Sequence, residues 1–428
     1  MLTINTLREE RQRVITGLDK RNIDAAPLID AILTVDDERK SIQTELDQLL
    51  GERNSISKEI GKLFKSGQAA EANEKRERVN VIKERVSTLE AALAEVKDNL
   101  AEQLYGLPNV PHESVAKGAG EEDNEVYRPY TGELPDLGEA AQPHWEIAEQ
   151  YGIFDLELGV KLTGSGFPVF RGQGAKLQRG LIAYFLDQAS EAGFEEFQVP
   201  HIVNESSARA TGQLPDKEGQ MYYINEDDFY LIPTAEVPLT NMYRDVILEE
   251  SDFPIKLTGH TPCFRREAGS YGAHVRGLNR VHQFDKVEIV QIAHPDRSYE
   301  VLHEMVDHVA KLLDTLELPY RILRLCGGDT GFTSALTYDF EVWSAAQKRW
   351  LEVSSVSNFE TFQTNRLKLR FRDGATKKTR LAHSLNGSAL ALPRIIAALL
   401  ENNQSPEGII LPQVLHPYVG KSVLVAKA

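Results

Sequence analysis

A chain of 428 residues, 41 % of them hydrophobic, is long enough for two or three domains and too apolar to remain disordered. A formal net charge of −16 excludes a surface coated throughout in nucleic acid, and two cysteines, Cys263 and Cys326, exclude a disulfide framework or a cysteine-rich zinc site. No apolar run approaches a membrane span and no apolar stretch of signal-peptide type follows residues 1–13, so no membrane association is expected and the cysteine usage fits the reducing cytoplasm.

The first predicted element is a long helical hairpin. Apolar residues recur at alternating spacings of three and four through Leu28, Ile32, Val35, Ile42, Leu46, Leu49, Ile56, Ile60 and Leu63, with Arg39 and Arg53 as the two polar intrusions. The same rhythm returns through Val79, Ile82, Val86, Leu89, Leu93, Val96, Leu100 and Leu104. This is the seam of a two-stranded coiled coil, and the break at Ser66, Gly67 and Gln68 makes its limbs antiparallel neighbours. At 1.5 Å per residue the arm is about 50 Å long. Its tip, residues 53–85, carries nine basic side chains against five acids, whereas its base carries three against eleven. A basic tip on an acidic stalk suits RNA contact, although a solvated spacer would show the same heptads. Residues 1–105 are thus expected to form an N-terminal helical arm.

Glycine and proline then punctuate residues 106–138, the composition of a linker. Beyond it, helical periodicity over 143–151 gives way to short apolar alternations bounded by Gly and Pro at 194–199, 229–232, 257–264, 281–292, 320–325, 335–343 and 350–356, which read as strands. Helical patterns at 177–192, 299–316 and 390–401 stand between them. Successive strands with helices set outside predict an α+β domain over 139–428, built around an antiparallel sheet. The sequence contains neither a Gly-x-Gly-x-x-Gly turn opening a helix nor a Walker A loop, so a Rossmann or P-loop nucleotide site is not expected.

The richest stretch runs Cys263-Phe264-Arg265-Arg266-Glu267-Ala268-Gly269-Ser270, then from Arg276 through Val281-His282-Gln283-Phe284-Asp285-Lys286-Val287-Glu288. It reads as strand, polar glycine-bearing loop, strand. Alternation puts His282, Phe284, Lys286 and Glu288 on one side, facing Arg265 and Glu267. Taken alone, Arg265 and Glu267 are an ordinary cross-strand ion pair and Phe284 a core residue. Together they offer a guanidinium for a phosphate, an acceptor for an exocyclic amine and a ring to stack on a base. Glu288 between Val287 and Ile289 needs a partner if buried, and a substrate ammonium would be one. His282 reads as structural, the two cysteines as inert core thiols, and Ser354 and Ser355 have no histidine with triad logic nearby.

This hairpin resembles motif 2 of the class II aminoacyl-tRNA synthetases in the form typical of the seryl enzymes. Thr234-Ala235-Glu236 resembles their serine-binding loop, Glu352-Val353-Ser354-Ser355-Val356-Ser357-Asn358 their metal- and ATP-binding strand, and Asn386-Gly387-Ser388 through Pro393-Arg394 their motif 3. The helical pattern at 177–192 with the strand ending at Pro200 is similar to motif 1, the dimer element, and the N-terminal arm to the family's tRNA-binding arm. The resemblance implies an antiparallel-sheet class II catalytic domain in a homodimer that activates L-serine with ATP and Mg2+, without zinc. It implies serine transfer to tRNA(Ser) and, where a host has one, to tRNA(Sec). It further implies that Arg265 and Arg394 are catalytic, and that Arg265, Arg266, Glu267, Val281, Phe284, Glu352, Val353, Ser354, Ser355 and Arg394 bind ATP. Glu352 and Ser355 would hold the metal, and Thr234, Ala235, Glu236, Glu288 and Ser388 would surround serine. Val356 stands where many relatives have cysteine, and Pro393 precedes the arginine where class II enzymes often have glutamate. A proline near a helix start leaves Arg394 in place. A carrier-protein-aminoacylating paralogue would lack the arm and usually carry a zinc site.

Overall fold

A computed structural model describes residues 1–216, 219–267 and 275–426. Among the described residues no helix is long and apolar enough to cross a membrane. The chain divides into two compact units.

The first unit comprises Leu2–Asp19 and Ile23–Pro108. Helices Ala26–Lys65 and Ala69–Gly106 form the hairpin, and Gly67 at the turn takes φ +78°, a conformation that glycine adopts without strain. Leu46, Ile82, Val86, Leu89 and Leu93 make its buried seam, with Ile42, Leu49 and Ile56 packed alongside. Lys75 reaches Glu59, Arg78 reaches Glu52 and Arg85 reaches Glu45 across the limbs, at 2.7, 2.9 and 2.7 Å. Ascending numbers on one limb meet descending numbers on the other, as antiparallel pairing requires. Exposed pairs of this kind are screened by water and salt, so they mark register more than they supply stability.

The foot of the first limb departs from the expected seam. Leu28 is 46 % exposed, whereas Ile29 and Ile32 are buried, and Asp36 occupies the inward position predicted for Val35. Arg8 on the short helix Ile4–Glu9, Arg39 and Lys40 surround its carboxylate at 2.7, 2.8 and 2.9 Å. Burial alone would push this carboxyl up, but the three cations hold it well below the usual carboxylate range.

The second unit contains Asn109 onward together with Met1 and Lys20–Asn22. Its centre is an eight-stranded sheet of β1 (Glu125–Arg128), β2 (Glu195–Glu196), β3 (Ile255–Phe264), β4 (Gln283–Ala293), β5 (Tyr320–Arg324), β6 (Leu336–Ser344), β7 (Arg349–Asn358) and β8 (His383–Ala391). Their spatial order is β1-β5-β6-β7-β8-β4-β3-β2, antiparallel except for the β2–β3 pair. Helices Gly172–Glu191, Ser298–Thr315 and Leu392–Asn402 bury Leu177, Leu181, Phe185, Leu302, Met305, Ile396 and Leu399 against Val287, Ile289, Phe340, Val342, Val353 and Leu385 of the strands. At roughly 1.5–3 kcal/mol per fully buried large side chain, this layer holds the sheet from one side and leaves the other for polar chemistry.

Three segments differ from expectation. Residues 125–128, inside the presumed linker, pair with β5 as an edge strand. Only Glu195–Glu196 of the strand expected over 194–199 enters the sheet. Residues 390 and 391, expected to open a helix, instead end β8, and the helix begins at Leu392 with Pro393 in its first turn, where a missing N–H costs nothing.

Candidate active site

Along β6, Tyr338, Phe340 and Val342 point into the helix-packed core, so Thr337, Asp339 and Glu341 point to the opposite side. There they join a cavity of about 860 Å3 lined also by Thr234, Glu236, Arg265, Glu267, Val281, Phe284, Lys286, Glu352, Val353, Ser354, Ser355, Asn386, Ser388 and Arg394. Most of the residues singled out by sequence therefore face one space. Ala235, Arg266 and Glu288 are not on its wall: Ala235 is fully buried, Arg266 lies over the Tyr222 ring at 5.6 Å, and Glu288 sits behind the wall.

Strict alternation would send Glu352 and Ser355, three residues apart on β7, to opposite faces. A bulge prevents this. Asp339 pairs with Ser355 and Phe340 with Ser354, yet Glu341 pairs with Glu352, so β7 spends one residue more than β6. Both side chains consequently reach the cavity. Asp339, which the sequence reading did not single out, lies beside them with Oδ1 buried and unpartnered among the described residues. Burial and the nearby Glu352 carboxylate hold the Asp339 carboxyl well above its ordinary value, against a hydrogen bond from Ser355.

One part of the cavity wall is backed by a chain of buried hydrogen bonds. The Thr234 hydroxyl donates to Glu288 Oε2 at 3.1 Å, the Asn386 amide donates to Glu288 Oε1 at 3.1 Å, and Lys286 Nζ lies 2.5 Å from Oε2. Glu288 thus already has an ammonium partner from its own strand, where the sequence had suggested a substrate ammonium. Burial pushes its carboxyl up and Lys286 opposes. Glu236, also buried, accepts from Gln363 Nε2 at 2.7 Å. Gln363 has no orientational freedom left: its amide also donates to the Thr211 carbonyl at 3.1 Å and accepts from Ser384 Oγ at 2.8 Å. Burial first, and the Glu288 charge second, push Glu236 up to about 7.

Elsewhere on the wall Arg265 leaves β3 and its guanidinium lies over the Phe284 ring, 5.4 Å from the centroid. The Arg265 N–H donates to the His282 carbonyl at 2.9 Å and the His282 ring Nδ1 lies 3.1 Å from the Arg265 carbonyl, so His282 serves the backbone, as expected of a structural histidine. Glu267, at φ +47°, is ion-paired with Arg280. Arg394 donates to the Glu352 carbonyl at 2.7 Å and to the Asn279 carbonyl at 2.9 Å. The motif residues Ala268, Gly269 and Ser270 lie outside the described residues. Cys263 and Cys326 are both free and buried.

Alternation had put Lys286 on the site side without giving it a role, and the structure places it on the wall. Not singled out by sequence as site residues were Asp339, Asn386 and Gln363, although a lone carboxylate between Tyr338 and Phe340 could have flagged Asp339. Gln363 comes from a separate helix, Thr361–Leu367, and no local pattern marks it.

The antiparallel sheet thus carries helices on one side and this cavity on the other. Residues 221–403 match the tRNA synthetase class II core domain family (G, H, P, S and T), and residues 1–111 match the seryl-tRNA synthetase N-terminal domain family. Over the whole of both sequences the chain is 50 % identical to a serine–tRNA ligase of Salinibacter ruber. It is similar to the structure of seryl-tRNA synthetase from Pyrococcus horikoshii complexed with ATP, with a TM-score of 0.90 and 34 % identity covering 100 % of both chains. It is also similar to the cytoplasmic serine–tRNA ligase from Naegleria fowleri in complex with AMP, with a TM-score of 0.86 and 25 % identity over 100 % of this chain and 99 % of that one. The chain belongs to the seryl-tRNA synthetase family, the serine–tRNA ligases.

Proposed function

We propose that the cavity binds ATP and L-serine side by side, joins them as seryl-adenylate with release of pyrophosphate, and passes serine to the 3′ end of tRNA(Ser) held by the arm. The observation that carries this reading is the single cavity wall that holds both Arg265, stacked over Phe284, and Glu236 with Lys286.

A serine carboxylate oxygen attacks the α-phosphorus, the bond to pyrophosphate breaks, and Arg265 neutralises the charge that develops on the α-phosphate oxygens. Phe284 stacks on the adenine, Glu267 accepts from its amino group, and Val281, Val353 and Ser354 complete the nucleotide wall. Arg394, anchored by the Asn279 and Glu352 carbonyls, faces the adenine and the γ-phosphate. Arg266 backs the motif by donating its N–H to the Gln220 carbonyl at 2.9 Å. Positioning and electrostatics carry the step, so no covalent enzyme intermediate is needed. Thr234, Glu236 and Ser388 surround the serine ammonium and hydroxyl, with Ala235 and Glu288 behind them. The ribose hydroxyl of the terminal tRNA nucleotide then attacks the adenylate carbonyl, and AMP leaves.

Glu352 and Ser355 would hold Mg2+. Their oxygens, with the unpartnered Oδ1 of Asp339 nearby, are the hard donors that this ion takes together with substrate phosphates. When bound, Mg2+ supplies charge neutralisation on the triphosphate. The basic arm tip selects tRNA by shape and backbone, which extends to tRNA(Sec) where a host has one. Family likeness supports a homodimer working in the cytoplasm. Serine-dependent ATP–pyrophosphate exchange tests the reading. Absence of exchange, or a preference for a larger apolar amino acid, would overturn it.

A further inference from the structure

Behind the nucleotide end of the cavity lies a buried ionisable pair that the proposed chemistry does not use. His144 and Glu401 are both 0 % exposed, His144 at the start of helix His144–Tyr151 and Glu401 near the end of helix Leu392–Asn402. His144 Nδ1 lies 2.6 Å from Glu401 Oε1, and the same oxygen accepts the His144 backbone N–H at 2.9 Å and the Gln347 amide at 2.9 Å. Ser344 donates its hydroxyl to Oε2. Glu401 is thereby held below its ordinary value although burial pushes it the other way.

The far side of the ring faces the cavity wall. The Leu278 backbone N–H donates to His144 Nε2 at 2.8 Å. A backbone N–H can only donate, so Nε2 accepts from the wall while Nδ1 faces Glu401. Residues on either side of Leu278 are tied to the same framework. The Arg276 guanidinium lies 4.8 Å from the Trp145 ring centroid, and a Cβ on Gly277, at φ +71°, would stand 2.2 Å from His144 Nε2. The Asn279 amide donates to Gln347 Oε1 at 2.9 Å, which closes a loop back to Glu401. Leu278, Asn279 and Arg280 line the cavity, the Asn279 carbonyl accepts from Arg394 Nε, and Arg280 pairs with Glu267.

We propose that the His144–Glu401 pair, with Gln347, is a positioning element for ATP: it clamps the 276–279 turn from behind and so sets Arg394 and the Arg280–Glu267 pair. The proposal rests on the reading of this end of the cavity as the nucleotide site. A pair serving only general stability would have no reason to spend the second ring nitrogen on a cavity-wall amide, or to share an acceptor with a glutamine that grips the next residue. Its effect is expected on ATP and not on serine, because the Thr234–Glu288–Lys286 and Glu236–Gln363 bonds at the other end share no member with it.

The test is ATP–pyrophosphate exchange by the full chain at varied ATP and varied serine, with thermal unfolding of each variant. His144→Asn keeps a donor for Glu401 but withdraws the acceptor from Leu278. Gln347→Leu cuts the Asn279 tie from a half-buried position that leaves the core intact. Each is expected to raise KM for ATP about fivefold or more, with KM for serine within about twofold and Tm within a few degrees. Glu401→Gln, whose amide oxygen can still accept from His144 and Gln347 while its NH2 donates to Ser344, is expected to stay within about twofold of wild type for ATP. Unchanged KM for ATP in folded His144→Asn and Gln347→Leu would overturn the proposal, as would equal losses for ATP and serine. Should His144→Asn fail to fold, Gln347→Leu decides alone. A wild-type chain without serine-dependent exchange would instead remove the nucleotide reading and this inference with it.

Discussion

Lys286 Nζ lies 2.5 Å from Glu288 Oε2, two residues along one strand, and both side chains are buried. Removing one member of a buried ion pair leaves the other uncompensated and typically costs about 3–5 kcal/mol, whereas removing both costs much less. Thr234 and Asn386 still donate to Glu288, so the cost for Lys286→Met is expected near the lower figure. Urea unfolding of Lys286→Met, Glu288→Gln and the double variant should give a coupling energy above about 1 kcal/mol. Additive losses would show that the two charges act separately.

Glu236 titrates near 7 in the folded chain against an ordinary value of 4.5. Between those values the native state retains a proton that the unfolded state has released. Stability is therefore highest below the lower value, falls as pH rises through the window, and levels off above the upper one. Glu236→Gln should lose this component, so its urea midpoint relative to wild type should rise from about pH 5 to about pH 8. Parallel curves for the two proteins would contradict it. Ammonium binding calls for the ionised carboxylate, so serine affinity of the wild type should rise over the same interval.

Gln363 holds one oxygen of Glu236 and leaves the other to the cavity. Gln363→Leu removes that hold and leaves the Thr211 carbonyl and Ser384 hydroxyl without their partner. KM for serine should rise about tenfold, roughly the 1.4 kcal/mol of one lost buried hydrogen bond, with KM for ATP unchanged. Steady-state exchange with each substrate varied will show whether the loss is confined to serine.

Arg265→Ala should lower serine-dependent exchange by about 10²–10³, the range seen when one preorganised charge-stabilising donor is removed. Arg265→Lys should recover little, because a point-charge ammonium does not reproduce the planar fork. Near-normal exchange in the alanine variant would refute the role assigned to this guanidinium.

Deleting residues 35–97 should leave serine activation largely intact and abolish tRNA charging, since none of these residues belongs to the catalytic unit. Filter-bound aminoacylation beside pyrophosphate exchange reads both halves at once. Full charging by the shortened chain would reduce the arm to a spacer.

The sequence showed the long regular features and hid those that depend on strand geometry. The second limb of the arm buries Val79, Ile82, Val86, Leu89, Leu93, Leu100 and Leu104, seven of the eight positions expected from their spacing, with Val96 half-buried, because a periodic apolar stripe has one way to be buried. The first limb misled at its foot, where Asp36 enters the seam beside Arg39 and Lys40 of its own helix and Arg8 of a separate one. In the strand His383–Ala391, residues 386–391 were legible as part of a motif but none as a strand, because Ser384, Asn386, Gly387 and Ser388 break the apolar alternation that flags one. Glu352 and Ser355 share a face only through a bulge that alternation cannot foresee, and Asp339 becomes notable only once those two stand beside it. His144, Gln347, Gln363 and Glu401 are scattered in the sequence and meet only in the folded chain.

The turn at Ser66, Gly67 and Gln68 ties two limbs whose ion pairs and apolar seam run in opposite directions. An insertion in either limb alone would slide every contact between it and the tip out of phase. Reach can change only by matched additions on both limbs, most simply seven residues each, in steps of about 10 Å. The lever is therefore quantised: relatives with longer or shorter arms should differ by symmetric pairs of heptads about the turn, and a lone insertion should survive only where it loops out.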